Sequence, residues 1–108
     1  MKIMSAINTL GQILRELRET RGLLLRQVAA ALEIDTALLS KFERDERTPN
    51  KDQVISFARY YNANTDELLL AWLSDKIAGD VQHEDLAIEA LKAAEKKLGL
   101  LKKKKENK

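Results

Sequence analysis

The stretch VAAALEIDTALLSKFERDE, Val28 to Glu46, constrains this chain more than any other. It holds two short segments with apolar residues at helical spacing, separated only by Glu33, Ile34 and Asp35. So short a connection makes neither a hairpin loop nor room for a helix to wander, so the two helices must meet at a fixed angle. Val28, Ala29 and Leu32 face inward on the first helix, which runs from about Leu25 to Leu32. Asp35 caps the second, with Leu39 and Phe42 inward, so that Ser40, Lys41 and Arg44 are carried outward.

The remaining periodicity predicts an all-α chain of short connections, with Pro49 the only proline. Before the pair, Leu10, Ile13, Leu14 and Leu17 form an apolar stripe opened by the capping box Thr9-x-x-Gln12 and closed at Gly22. After the polar turn from Arg44 to Pro49, Asn50-x-x-Gln53 opens a fourth helix with Val54, Phe57, Ala58 and Tyr61 inward, and Asn64-x-x-Glu67 opens a fifth. In the fifth, Leu68 to Leu73 are all apolar, including Trp72, so apolar surface wraps most of the helix. One side can pack on the bundle and the other needs cover from the C-terminal segment or from a second copy. A last helix is expected after Gly79-Asp80, starting near His83 or Glu84, with Ala87, Ile88, Leu91, Ala94 and Leu98 in one stripe before it fades into Lys102–Lys105.

Composition excludes several classes. Cysteine is absent and His83 is the only histidine, which removes disulfides, thiol nucleophiles and zinc sites of Cys/His spacing. Gly11, Gly22, Gly79 and Gly99 form no phosphate-binding loop, and Ser40 has no histidine near it to activate it, so no enzyme and no cofactor is expected. His83 is expected at the surface or capping a helix. No run approaches the roughly 18 apolar residues of a membrane span, and Met1 to Asn8 lacks the pattern of a signal peptide, which predicts a cytoplasmic protein. The net charge of +2 resides entirely in the C-terminal part: residues 1–70 carry ten basic and ten acidic side chains, residues 71–108 nine and seven. Bulk charge therefore makes no case for nucleic acid, and only local placement can.

Two helices at a fixed angle, the second presenting polar side chains, form a helix-turn-helix arrangement, whose second helix enters the DNA major groove in known cases. The strings LGQILRELRETRG, VAAALEI, LLSKFER and TPNKDQV at their mutual spacings resemble the Cro/repressor-type helix-turn-helix of the XRE family over residues 10–69. The resemblance implies that Ala29 is the small residue where the helices cross, Ile34 the turn hydrophobe, and Ser40, Phe42 and Glu43 the signature of the recognition helix. Pro49 resembles the proline after the basic turn. It implies an Arg18–Glu43 ion pair, for which structural bracing is the favoured role. There are departures. Leu24 stands for the usual Ser/Thr cap, and Leu25 for a polar residue that commonly contacts phosphate. Glu33 and Asp45 stand where glycine is common, and Glu33 is expected at positive φ with strain of order 1 kcal/mol.

On the recognition face Thr36, Ala37, Ser40, Lys41 and Arg44 project together on successive turns. Lys41 suits guanine O6/N7, the methyls of Thr36 and Ala37 suit a thymine methyl, and Ser40 suits a base or a phosphate. Arg44, Arg47, Thr48 and Lys51 fall along the following turn, where members of the family this chain resembles touch the DNA backbone or reach the minor groove, and are assigned to the backbone, while Asp45, Glu46 and Asp52 would repel phosphate unless turned away. The competing reading of each is a solvated charged turn.

The resulting expectation is a five-helix repressor-like bundle, residues 1–78 with motif core 25–44, followed by a dimerisation helix and lysine-rich tail at 79–108. It would act as a homodimeric, sequence-specific transcriptional regulator on a palindromic site, in a bacterial cytoplasm and held at the nucleoid by DNA. No membrane and no small-molecule effector is expected as a partner. Trp72, Leu73, Ile77, Leu86, Ile88 and Leu91 are the expected dimer seam; the tail could add only weak, non-specific DNA contact. The sequence also resembles small regulators encoded beside restriction-modification or methyltransferase genes. Competing readings are an antitoxin or other protein-interaction module that uses the C-terminal helix, and a helix-turn-helix kept only as a scaffold.

Overall fold

The computed structural model describes residues 7–106, with side chains to Lys104. Most of the Met1 to Asn8 stretch read for a signal segment, and the side chain of Lys105 in the lysine run, lie outside the described residues. Among the described residues the regular elements are all helices: α1 Leu10–Thr20, α2 Leu25–Ala31, α3 Thr36–Glu43, α4 Lys51–Tyr61, α5 Thr65–Val81 and α6 Ala87–Glu106. The chain divides into two compact units between Lys76 and Ile77, within α5.

Each helix of the first unit starts where a side chain satisfies an otherwise unpaired backbone N–H. Thr9 Oγ1 accepts from Gln12 N–H at 3.1 Å and the Gln12 side chain accepts from Thr9 N–H at 2.9 Å, completing the capping box. Asn50 and Gln53 do the same for α4, with both bonds at 2.8 Å. Asp35 accepts from Leu38 N–H, and Asn64 from Glu67 N–H. The exception is α2. Leu24 offers no side-chain acceptor, and Gln27 supplies only the return bond to Leu24 N–H at 2.8 Å.

The helix ends share one device. Gly22, Glu33, Asp45 and Asn62 all sit at positive φ (66°, 56°, 62° and 53°). In each case the next N–H reaches back to a carbonyl five residues before it: Leu23 to Arg18, Ile34 to Ala29, Glu46 to Lys41 and Ala63 to Ala58. This closure satisfies last-turn carbonyls and reverses the chain within a residue or two. Only Gly22 adopts the conformation without steric cost; Asn62 tolerates it, whereas Glu33 and Asp45 are strained.

Leu10, Ile13 and Leu14 of α1, Val28 and Ala29 of α2, Leu39 and Phe42 of α3, Val54, Phe57, Ala58 and Tyr61 of α4, and Leu68, Ala71 and Trp72 of α5 form one buried core. Leu17, Leu32 and Ile34 pack at its margin. Phe42 meets Phe57 edge-on at 6.2 Å between ring centroids, and Phe57 stacks on Tyr61 at 6.5 Å. α3 lies against both α1 and α2, and α1 also packs on α4.

Three expectations are corrected. Trp72, placed on a dimer seam, is a core residue: it is only 8% exposed and its indole N–H donates to the Pro49 carbonyl at 2.8 Å. An indole with an acceptor inside the bundle gains more there than on a surface awaiting a partner. Gly79 and Asp80 do not end α5, which runs through them to Val81, since an isolated glycine costs a helix only about 1 kcal/mol. The last helix begins at Ala87 and not near His83 or Glu84, because the intervening residues close turns of their own through Glu84 N–H to Val81 and Ala87 N–H to Glu84. His83 is exposed in that connection.

Glu33→Gly is expected to raise stability by about 1 kcal/mol by removing the strain at φ 56°. Urea denaturation checks it; a midpoint equal to or below that of the parent would show that the turn carries no strain.

Candidate nucleic-acid interface

The site begins with how α3 is held. Arg18 of α1 grips Glu43 with two bonds, Nε to Oε2 at 2.8 Å and Nη2 to Oε1 at 3.0 Å, and its Nη1 donates to the Leu23 carbonyl at 2.9 Å. The Glu43 side chain is 4% exposed and that of Arg18 13%. The bond to Glu43 raises the Arg18 pKa further above its ordinary value despite opposing desolvation. Tyr61 lies within the field of this pair. Its hydroxyl is buried without a partner, and burial, reinforced by the Glu43 charge, pushes its pKa well above the ordinary tyrosine range.

Holding Glu43, Phe42 and Leu39 inward turns the opposite face of α3 to solvent. Thr36, Ala37 and Lys41 are exposed there and Ser40 is half-buried. Arg44 is the C-cap residue of α3 and is exposed, as are Arg47 and Thr48 in the following turn and Lys51 at the first position of α4. The expected recognition residues thus share one helix, its end and the next helix start.

The acidic residues among them are disposed differently. Asp45 Oδ2 accepts from the Thr9 hydroxyl at 2.8 Å, so its carboxylate is engaged with the cap of α1. Glu46 pairs with Arg44 at 3.0 Å. Both partners of that pair are about half-exposed, so a phosphate can compete for Arg44 at little cost. Asp52 is exposed in the first turn of α4, where a negative charge favours the helix N-terminus.

Sequence reasoning missed three contributors. Gly11 lies where a Cβ would come within 2.5 Å of both Asp45 Oδ1 and the Phe42 carbonyl, so only glycine lets α1 approach the end of α3 this closely. The legible signal was a glycine inside a helix, which marks a close approach. Asp75 of α5 accepts the Leu10 N–H at 2.8 Å. Burial raises its pKa, opposed by the Leu10 bond and reinforced by nearby Asp45. The Trp72 bond to Pro49 is the third.

The residues assigned to dimerisation other than Trp72 are all exposed: Leu73 and Ile77 on α5, Leu86 before α6, and Ile88 and Leu91 on α6. A groove of about 430 Å³ between α1 and the α4–α5 connection contains none of the residues expected to contact DNA. Among the described residues no group of three or more His, Asp or Glu side chains is arranged to hold a metal ion, and no helix is long and apolar enough to cross a membrane.

Comparison with known proteins gives the following. Residues 9–72 match the helix-turn-helix domain family. The chain is similar to the HTH-type transcriptional regulator ImmR of Bacillus subtilis (strain 168), 38% identical over 61 residues that make up 56% of this chain and 48% of that protein. It is also similar to the HTH-type transcriptional regulator DdrOP3 of Deinococcus deserti, 37% identical over 68 residues, 61% of this chain and 53% of that protein. The matched region thus spans about half the length of these relatives, and no link to restriction-modification genes follows from either.

Glu43→Ala should cost about 3 kcal/mol, because it leaves the Arg18 guanidinium partly buried without its carboxylate. Tyr61→Phe, which removes only an unpartnered hydroxyl, should be neutral or stabilising by up to about 1 kcal/mol. Urea midpoints of the two variants check both, and a Tyr61→Phe loss as large as that of Glu43→Ala would mean the hydroxyl has a partner in solution.

Proposed function

The chain belongs to the helix-turn-helix domain family, in its Cro/repressor form, and on that premise we propose that it is a transcriptional regulator that binds duplex DNA sequence-specifically as a homodimer on a palindromic operator. The observation that carries this reading is the exposure of Thr36, Ala37 and Lys41 on the face of α3 opposite the buried Glu43. A helix braced from behind and bare in front is what insertion into a major groove requires. Lys41 reads guanine O6/N7, Thr36 and Ala37 pack on thymine methyls, and Ser40 bonds a base or phosphate. Arg44, Arg47, Thr48 and Lys51 meet the sugar-phosphate backbone and set the register. The net charge of residues 1–70 is zero, so affinity arises from these locally placed cations.

The homodimer is argued from leftover apolar surface and from affinity. Leu73 is 49% exposed in the first unit, and Ile77 48%, Leu86 68% and Ile88 62% in the second, apolar surface of the kind that a second copy would cover. One recognition helix also makes few contacts for tight specific binding, and two of them about 34 Å apart reach successive major grooves. Selection from a random duplex library with the purified protein tests the whole reading: two inverted half-sites about one helical turn apart should be recovered, and no enrichment would refute it. One observation favours a second reading, in which α6 binds a different protein. Every described residue from Ile88 to Lys104 is exposed. A full-length chain that is monomeric alone and captures one defined neighbour protein would favour that reading.

Lys41→Ala should lose roughly 1–3 kcal/mol of discrimination between the selected site and random DNA, while Lys51→Ala should weaken binding to all sequences and lower the salt slope by about one. Equal losses on both DNAs for both variants would refute the division of roles. Removing residues 82–108, beyond the end of α5, should convert the dimer to a monomer or a far weaker dimer at micromolar concentration. Sedimentation measures this, and a truncated chain as firmly dimeric as the parent would place the seam elsewhere.

A further inference from the structure

The turn that follows the recognition helix is held at both ends by residues outside the two-helix motif. At its start, Asp45 is bound by the Thr9 hydroxyl at 2.8 Å, and Gly11 leaves room for that approach. At its end, the buried Pro49 offers its carbonyl to the Trp72 indole N–H at 2.8 Å. The indole is itself fixed in the core, with Lys76 Nζ 3.6 Å from its ring centre. Between the two pins lie only Glu46, Arg47 and Thr48, all exposed. The pins share a base, because Asp75, three residues after Trp72 on the same helix, accepts the Leu10 N–H at 2.8 Å and so holds the start of α1, where Thr9 sits.

We propose that Trp72 is a positioning residue for DNA contact: together with Thr9 it clamps the turn, so that Arg47 and Thr48 reach the phosphate backbone in a geometry set before binding. This rests on the DNA-binding reading above. A turn with free ends would have to be ordered at the moment of binding, and that entropy would be subtracted from affinity; a turn pinned at Asp45 and Pro49 is ordered already. A buried indole N–H has no acceptable alternative to its acceptor, so the Pro49 pin persists as long as the bundle is folded. The strain at Asp45 serves the same end, since a glycine there would turn the chain but provide no carboxylate for Thr9.

The test compares the parent with Trp72→Phe, which keeps an aromatic ring but removes the donor, and with Lys76→Met, which keeps the indole bond. Binding to a short random-sequence duplex is titrated across salt concentrations, and urea unfolding is measured in parallel. Trp72→Phe should bind about 5- to 10-fold more weakly, with a log–log salt slope lower by about one, as expected when a phosphate contact is lost from the register. Lys76→Met should retain a slope within a few tenths of the parent's. A Trp72→Phe variant with a lowered urea midpoint but the parent's affinity and slope, once folded, would overturn the proposal and leave Trp72 a purely structural residue. If that variant does not fold, the parent decides. The resonance of its one indole N–H should exchange slowly with solvent and shift on addition of the duplex, and a resonance that DNA leaves unmoved would overturn the clamp. A parent that binds no duplex even at about 50 mM salt would instead refute the DNA-binding reading on which the clamp depends.

Discussion

The ion pair between Arg18 and Glu43 is the contact around which the first unit is organised. Glu43 sits on the inward side of α3 among apolar residues, where a carboxylate without a countercharge would be strongly disfavoured. The fork of Arg18 meets both of its oxygens, and the third bond to the Leu23 carbonyl ties in the link that leads to α2. One guanidinium therefore joins α1, the start of the helix pair and α3. Such a pair adds little net stability over an apolar replacement, but with Leu39 and Phe42 it holds the inward face of α3 against the core. That orientation leaves Thr36, Ala37 and Lys41 outside.

Bracing from behind fixes what α3 presents, and helix closure fixes where the chain goes next. Four helices in succession end in the same left-handed residue and backward hydrogen bond, yet glycine occupies only one of the four positions. At Glu33 no compensating side-chain bond offsets the strain among the described contacts. At Asp45 the side chain binds Thr9, so a conformational cost is exchanged for a link between the ends of two helices. An acidic residue inside a basic turn also ceases to be anomalous, because its carboxylate is directed to the cap of α1.

The second unit follows a different logic. Its helix buries almost nothing of its own, with every side chain described from Ile88 to Lys104 exposed. Most helices in proteins draw their stability from packing an apolar face, and the Leu91 and Leu98 side chains of this one are exposed. The bundle has a complete core without it. The proposed recognition and the proposed assembly would thus fall to parts of the chain with separate requirements, the first a packed core and the second an exposed apolar surface.

The helices of the bundle and their starts were legible in the sequence because their determinants are local. Thr9, Asp35, Asn50 and Asn64 each act within three residues of themselves, and the apolar stripes repeat every turn. The outward face of α3 was legible for the same reason, and the resemblance to a known family supplied the Arg18–Glu43 pair that spacing alone only permits. The boundary near Gly79 was misread because glycine marks a helix end only where the fold needs a left-handed residue, and here the helix continues through it. What local pattern could not supply were contacts between residues far apart in the chain: Asp45 with Thr9 and Gly11, Asp75 with Leu10, and Trp72 with Pro49. Six adjacent apolar residues from Leu68 to Leu73 say that part of α5 is buried, but only packing in three dimensions chose Leu68, Ala71 and Trp72 for the core and left Leu70 and Leu73 in solvent. That choice depends on which face of α5 meets Pro49 and Leu10, a fact of tertiary geometry that hydrophobicity along the chain does not encode.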